Sequence, residues 1–328
     1  LNAPFLHRDR LQRLDTVTPL QAEDTFFDEC WYPDDPDAMP KEVAASSMAA
    51  TAAMAVGLRP LPEVAQRVLD VTSRPDADLD LLCVLIESDP ALASKIIRLA
   101  NSAYLRRKTE CRTLRQAVQR LGFKMLRGLA LSVATLDTFS DPWGEARRIR
   151  EHCAGAAAIA RVLTAEFDPK ISSEVFLATL LHDFGKLLVH QTGELDYERF
   201  RQETRSGALE PHVVERRTLG YDHAVLGGWI LKQWEIPRPI PRAVAMHHRP
   251  DAPFADDGPL GRVIAWVMIA DELDHHIECG AAADEAYFDW YARRPAFVRV
   301  GLGSKAMDRL WRAFVMERQA MVQVFSGR

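Results

Sequence analysis

Apolar residues recur along most of this sequence at helical rather than alternating spacing. Leu61, Val64, Ala65, Val68 and Leu69 form one such face, and Arg74-Pro75-Asp76 ends the helix that they predict. Asp89-Pro90 supplies an N-cap with proline at the first helical position, ahead of Leu92, Ile96, Leu99 and Ala100. Thr113 with Gln116 has the form of a capping box, and Gly122 is placed to close that helix. No Asn-Gly or Asp-Gly turn joins alternating apolar runs, since Asp257-Gly258 lies inside a polar loop. The pattern predicts an all-α fold with no repeat at a fixed period. Ser140-Asp-Pro-Trp-Gly144 and the stretch Pro250 to Pro259 break the helical signal. The expected organisation is an extension over 1–57, a first helical part over 58–139, a second over 140–276 and a C-terminal helical extension over 277–328. The extension reads as irregular up to the alanine-rich run Ala44 to Ala55, which predicts one helix.

Composition narrows the class. The chain has 328 residues, 48% hydrophobic and 27% charged, enough to bury one or two sizeable cores and unlike a disordered chain. The most apolar windows, Val43 to Leu61 and Phe123 to Leu136, are interrupted by Ser, Thr, Arg or Lys, so no membrane span is expected. The sequence opens at Leu1 rather than Met, as a processed or trimmed chain would, and without a secretory pattern. Cys30, Cys83, Cys111, Cys153 and Cys279 are scattered and never spaced as CxxC, which fits reduced thiols in a cytoplasm and excludes a cysteine zinc ribbon. The net charge of -5 is uneven: residues 1–40 carry nine acids against three bases, leaving the remainder close to neutral. A near-neutral body offers no global basic field and argues against a nucleic-acid partner. The basic concentration at Arg106, Arg107, Lys108, Arg112, Arg115, Arg120, Lys124 and Arg127 reads as solvated helix faces.

Histidine and aspartate placement carries the chemistry. His182-Asp183 sits in an apolar segment in which Ala178, His182, Gly185 and Val189 would share one helical face. His152 shares a face with Ile149, Ala156, Ala160 and Leu163, and His223 with Leu219, Leu226, Ile230 and Trp234. His247 and His248 follow Ile240 and Val244, and Asp271 follows Ile264, Val267 and Met268. One inward histidine is ordinarily a hydrogen-bonded core residue, but a buried carboxylate needs a partner. Seven such groups converging suit a cation, with Fe, Mn, Zn and Ni all compatible with imidazole and carboxylate donors. Neighbouring helical residues point about 100° apart. His182-Asp183 and His247-His248 are therefore able to serve two adjacent ions, so one or two divalent metals are expected. His182, Asp183, His247 and Asp271 are expected around one centre.

Lys186, one turn from His182, is either a phosphate contact or a solvated helix-end lysine. His275-His276 reads as a surface pair, and His7, His190 and His212 lie on no helical face. The aromatic run Tyr287 to Tyr291, with Trp311 and Phe314, reads as a satellite core or a docking surface. No Gly-rich phosphate loop or GxSxG elbow is present.

The order His152, His182-Asp183, His223, His247-His248, Asp271 resembles the HD superfamily of metal-dependent phosphohydrolases, especially its cyclic-di-nucleotide phosphodiesterase branch. The chain as a whole is more similar to the HDOD family, a bacterial signalling relative of those enzymes. Leu61-Pro-Glu-Val64, the segment from Ile86 through Asp89-Pro-Ala-Leu92 to Asn101-Ser-Ala103, and Ala117 to Gly122 carry the first block of the resemblance. Leu181 to Lys186, Asp222 to Gly227, and Trp234-Glu-Ile-Pro237 through His248 carry the second. The resemblance implies an HD-domain-like multi-helical bundle preceded by an N-terminal helical subdomain. It implies a cytoplasmic signal-transduction module acting by binding or conformational output, with signalling proteins as partners and a homodimer open. The alternative it carries is a phosphohydrolase or phosphodiesterase on a nucleotide or cyclic nucleotide, with His182, Asp183 and Lys186 catalytic. A metal-free helical scaffold is the remaining reading.

Two departures separate this chain from the cyclic-di-GMP branch. Its Gly-Tyr-Pro signature is replaced by Arg249-Pro-Asp-Ala-Pro253 after the paired histidines, and Gly220-Tyr221-Asp222 stands in the wrong place. The glutamate expected four residues before His152 is Arg148, and Glu151 would point elsewhere.

Overall fold

The computed structural model describes residues 25–30, 39–58, 62–72, 79–101, 110–137, 144–193, 195, 200, 204, 209–234, 236, 238–249, 251–254, 258–280 and 283–326. The acidic run before residue 25, Arg106, Arg107, Lys108 and most of the break at 140–144 lie outside them, as does the Lys124 side chain. Among the described residues every regular element is helical. The chain begins with α1 (Thr25–Cys30), α2 (Lys41–Leu58), α3 (Glu63–Thr72), α4 (Leu79–Glu87), α5 (Pro90–Ala100), α6 (Leu114–Leu121) and α7 (Phe123–Asp137). It continues through α8 (Glu145–Phe167), α9 (Ser172–Leu181), α10 (Phe184–Thr192), α11 (Pro211–Leu219), α12 (His223–Gln233), α13 (Ile240–Ala245), α14 (Asp251–Phe254) and α15 (Pro259–Glu278). It ends with α16 (Glu285–Tyr291), α17 (Pro295–Val300) and α18 (Ser304–Phe325).

Local chemistry sets several of these ends. Asp89 Oδ1 accepts the Ala91 and Leu92 N–H groups at 3.0 and 3.1 Å, opening α5. Thr113 Oγ1 accepts from Gln116 N–H at 3.2 Å while Gln116 Oε1 accepts from Thr113 N–H at 3.3 Å, so the capping box of α6 is closed both ways. Gly122, at φ 79, ends that helix in a conformation that a side chain would strain.

The core is organised around α8, against which α9, α15 and α18 pack. Ala154 to Ala160 of α8 is buried on all sides, because its small residues let neighbouring backbones approach closely. The alanine-rich helix α2 packs on α10 and α12, burying Ala44, Met48 and Ala52. Tyr221 Oη donates to Thr51 Oγ1 at 2.5 Å, tying α2 to the turn before α12. The N-terminal helices α3 to α7 lean on the rest through α7, which meets α9, and through α5, which meets α18.

Two expectations of continuous helical faces are corrected. Ala178 and Val189 do not share a helix, because the chain turns at His182 and Asp183 between α9 and α10. Leu219 and His223 are likewise split by Gly220, whose φ of 87 ends α11 before α12 begins. The aromatic run forms a satellite core: Phe288 and Phe314 are buried against Trp311, Phe297 is buried against Tyr291, and of these aromatics only Trp290 is strongly exposed. Arg115 pairs with Asp80 at 2.5 Å and Arg120 donates to Ala100 O and Asn101 Oδ1, so both serve local structure. No helix among the described residues is long and apolar enough to cross a membrane.

Candidate metal centre

The inward side chains come from five places on the fold. His152 projects from the middle of α8, and His182-Asp183 sits at the α9–α10 turn. His223 opens α12, His247-His248 follows α13, and Asp271 lies in α15. The turns matter, because a helix end can aim two consecutive side chains into one space.

Four of the histidines are anchored in the same way. Nδ1 of His182 donates to Thr179 O at 2.7 Å, and Nδ1 of His247 donates to Val244 O at 2.6 Å. Nδ1 of His152 meets Asp274 Oδ2 at 2.9 Å, and Nδ1 of His223 meets Glu215 Oε2 at 2.6 Å. These acceptors assign the proton to Nδ1 and turn each Nε2 lone pair inward, which is how outer partners orient metal-ligating imidazoles.

The inward atoms fall into two adjoining groups. In the first, His152 Nε2 lies 3.2 Å from His182 Nε2, 3.1 Å from Asp271 Oδ1 and 3.7 Å from Asp183 Oδ2. In the second, His223 Nε2 lies 3.1 Å from both Asp183 Oδ1 and His248 Nε2, while His247 Nε2 stands 3.9 Å from Asp183 Oδ1. Asp183 thus offers one oxygen to each group. His182 and Asp271 fall in the first and His247 in the second, rather than all around one centre.

The donor chemistry fits divalent cations. Ligands about 2.0–2.2 Å from one ion, at right or tetrahedral angles, stand roughly 3.0–3.5 Å apart, close to the separations found here. With the Nδ1 protons of His152 and His182 committed to Asp274 and Thr179, their Nε2 atoms 3.2 Å apart need positive charge, from a bound cation or from an added proton. His247 Nε2 is buried without a hydrogen-bond partner, and Asp183 Oδ1 and Asp271 Oδ1 are buried facing only imidazole Nε2 atoms, which satisfy them only when charged. Such atoms are costly unless something charged answers them.

The titration behaviour shows how the protein without metal copes. Burial opposes charge on His152, but hydrogen bonds to Asp271 and Asp274 outweigh it and carry its pKa up to about 10. His223 is raised to about 9, with Glu215 overcoming burial, and His182 is raised by Asp183 in the same way. Burial, with His182 and His223 nearby, pushes His247 down to about 3, and burial beside His247 holds His248 well below its ordinary value. Asp183 and Asp271 stay well below the usual carboxylate range despite burial, because imidazolium neighbours favour their charged forms. Protons on His152, His182 and His223 therefore take the place that a cation would fill.

Lys186 is neither solvated nor remote. Its Nζ donates to Asp183 Oδ2 at 2.6 Å with the side chain mostly buried. Arg148 is exposed and pairs with Glu145 at 3.8 Å, and Glu151 accepts from Arg147 and Ser326, so neither reaches the centre.

Four acidic or imidazole groups escape a reading of sequence alone. Asp274 is fully buried between His152 and Arg318, whose Nε donates to its Oδ1 at 2.8 Å. Its i, i+3 spacing from Asp271 was the available signal. His275 is exposed, as a surface residue would be, yet its ring stacks on His152 at 4.2 Å and its Nε2 lies 3.3 Å from Asp271 Oδ1. Glu215 left no comparable mark, standing in a polar helix eight residues before His223. His212, likewise unassigned, stacks on His248 at 4.2 Å.

Comparison with known proteins agrees with this architecture. The HDOD domain family model matches residues 58–250. An uncharacterized protein of Treponema pallidum is 24% identical over 223 residues, covering 65% of this chain and 42% of that protein, so the chain spans less than half of its relative's length. A candidate phosphohydrolase from Shewanella amazonensis has a TM-score of 0.68 at 19% identity, over 85% of this chain and 98% of that one. An HDOD domain protein with unknown function from Geobacter sulfurreducens has a TM-score of 0.65 at 20% identity, over 84% and 97%. A candidate signal transduction protein from Marinobacter aquaeolei has a TM-score of 0.61 at 22% identity, over 92% and 68%. At these identities the similarity speaks to the fold.

Proposed function

This chain belongs to the HDOD domain family, and from that premise we propose that it is a bacterial cytoplasmic signalling module whose His/Asp centre holds one or two divalent cations. The observation that carries the reading is Asp183, which presents Oδ1 to one imidazole group and Oδ2 to the other. His152, His182, Asp183 and Asp271 would hold one ion, and Asp183, His223, His247 and His248 a second.

The output is conformational. The donors sit at the α9–α10 turn, the start of α12 and the end of α13, so occupancy fixes how those helix ends lie against α8 and α15. Without metal the same ends are held by imidazolium–carboxylate contacts, which have different lengths and charges. Signalling proteins are the proposed partners, with a second copy of the chain as one of them.

Lys186 favours a second reading, hydrolysis of a phosphate ester in a nucleotide or cyclic nucleotide. A bound divalent cation would lower the pKa of water toward neutrality and stabilise charge on phosphate oxygens. The chain itself would contribute the Lys186 ammonium, charged because Asp183 outweighs its burial, as a point charge for a phosphate oxygen. Asp183 would hold that ammonium in place, and the anchored Nδ1 atoms would keep the imidazoles from turning. Arg148 at the glutamate position and the absence of Gly-Tyr-Pro after His248 weigh toward the binding role.

Turnover of a panel of linear and cyclic nucleotides by the metal-loaded chain separates the two. The signalling reading expects no turnover above background. Turnover that Asp183→Ala abolishes would replace it with the hydrolytic one.

A further inference from the structure

A cavity of about 160 Å³ opens between the N-terminal helices and the helices of the metal centre. Phe123, Arg127, Gly128, Leu131 and Ser132 of α7 line one wall, and Ser173, Glu174, Leu177 and Leu181 of α9 line the opposite one. Ile236, Arg238 and Ile240, leading into α13, complete it. Its volume is close to that of an engineered cavity of about 150 Å³ that accepts benzene, so it suits an apolar body of about six carbons.

Ser132 sets this cavity apart from a packing defect. The residue is 1% exposed, and its Oγ has no hydrogen-bond partner. A serine inside a helix ordinarily returns its hydroxyl to the carbonyl four residues back. Thr164 and Thr179 in this protein do so, at 2.8 and 2.7 Å. Ser132 does not, and it faces both the cavity and a recess of about 10 Å³ behind it that shares Leu131, Leu181 and Ile236. A recess of that size holds at most about one water.

The charges on the walls define the rest of the ligand. Arg127, Arg238 and Glu174 are the charged residues among the described ones that line it. Arg238 is exposed, as a group that meets a ligand's charged end at a cavity mouth must be.

We propose that this cavity is a binding site for a small amphipathic carboxylate. Its apolar body lies against Leu131, Leu177 and Ile240, a polar atom meets Ser132 Oγ, and the carboxylate meets Arg238. The assignment does not rest on the metal reading. Its consequence would reach the metal centre, because Leu181 directly precedes His182 and Ile240 begins the helix that ends before His247.

The test uses the full chain in chelator, titrated with 4-fluorobenzoate and, in parallel, neutral 4-fluorobenzyl alcohol, followed by ¹⁹F NMR. Saturable binding of the carboxylate is expected, weakened about tenfold by Arg238→Gln, as loss of a charge-assisted contact predicts, and several-fold by Ser132→Ala. The alcohol should bind more weakly than the carboxylate and be indifferent to Arg238→Gln. Arg238 is exposed and Ser132→Ala removes only an unpartnered hydroxyl, so both variants should melt as cooperatively as the parent. No saturable binding would overturn the proposal and leave the Ser132 hydroxyl to an internal water. Binding unchanged in both variants would place the probe elsewhere and overturn it equally.

Discussion

Glu215 Oε2 accepts two hydrogen bonds from His223, one from its backbone N–H at 2.8 Å and one from Nδ1 at 2.6 Å. One buried carboxylate oxygen therefore fixes where α12 begins and which nitrogen of its first side chain faces Asp183.

Removing that oxygen should show in two measurements. Glu215→Ala leaves two buried N–H groups unanswered, at about 1–3 kcal/mol for each unsatisfied group, read by denaturant unfolding. Loss of the orienting partner should also weaken metal binding about 10- to 100-fold in a chelator competition. Glu215→Gln retains an oxygen at the same place and should lose less of both. Equal losses in the two variants would show that Glu215 acts through its charge alone.

Two glycines make room for the centre and should respond differently to a methyl group. A Cβ on Gly185 would lie 1.9 Å from the His223 carbonyl oxygen, so α10 and α12 would have to separate. A Cβ on Gly155 would lie 2.1 Å from Asp274 Oδ1, a side-chain atom that can move at the expense of its bond to His152. Gly185→Ala should cost about 3 kcal/mol or more in unfolding experiments. Gly155→Ala should cost less in stability but weaken metal affinity. Unfolding that ranks them in the reverse order would contradict the packing described.

These contacts mark how far the sequence could be read. The caps at Asp89 and Thr113 were visible because capping depends on residues a few positions apart. His152 and Asp271 were visible because each sits inside one long helix with apolar neighbours on its face. The facing of His182 and His223 was reached by extending helices through turns at Asp183 and Gly220; burial still follows, but from the packing of different elements. Glu215 and the stacking of His275 on His152 depend on tertiary approach, and local patterns of polarity carry no record of that; Asp274 left only its i, i+3 spacing from Asp271.

Metal binding should release protons. In the chain without metal, His152 and His223 titrate near 10 and 9, and His182 is also raised, so all three carry protons at pH 7 that an ion must displace. His247 and His248 are already neutral there and contribute none. Calorimetry in buffers of different ionisation enthalpy should register this release, and apparent affinity should rise with pH up to about 10. Binding without proton release would contradict the charge state assigned to the centre.

The same raised values predict the stability of the chelated chain. A histidine with a pKa above its ordinary 6.5 contributes fully below that value and loses its contribution as pH climbs through the raised one. The depressed Asp183 and Asp271 contribute above the ordinary 3.8 and lose their contribution as they protonate in acid. His247 and His248, held neutral by burial, cost stability as pH falls below 6.5, so the chelated chain should melt highest near pH 6.5 and fall both in acid and toward pH 9–10, with the metal-loaded chain protected over the alkaline range. Parallel alkaline losses with and without metal would contradict this.

Elemental analysis of the chain purified without chelator tests the central claim most directly. The shared carboxylate predicts between one and about two equivalents of a divalent transition metal, reduced in both Asp183→Ala and Asp183→Asn while circular dichroism shows the helices retained. Metal far below one equivalent, unchanged by either substitution in a folded chain, would contradict a cation centre at His152, His182, Asp183, His223, His247, His248 and Asp271.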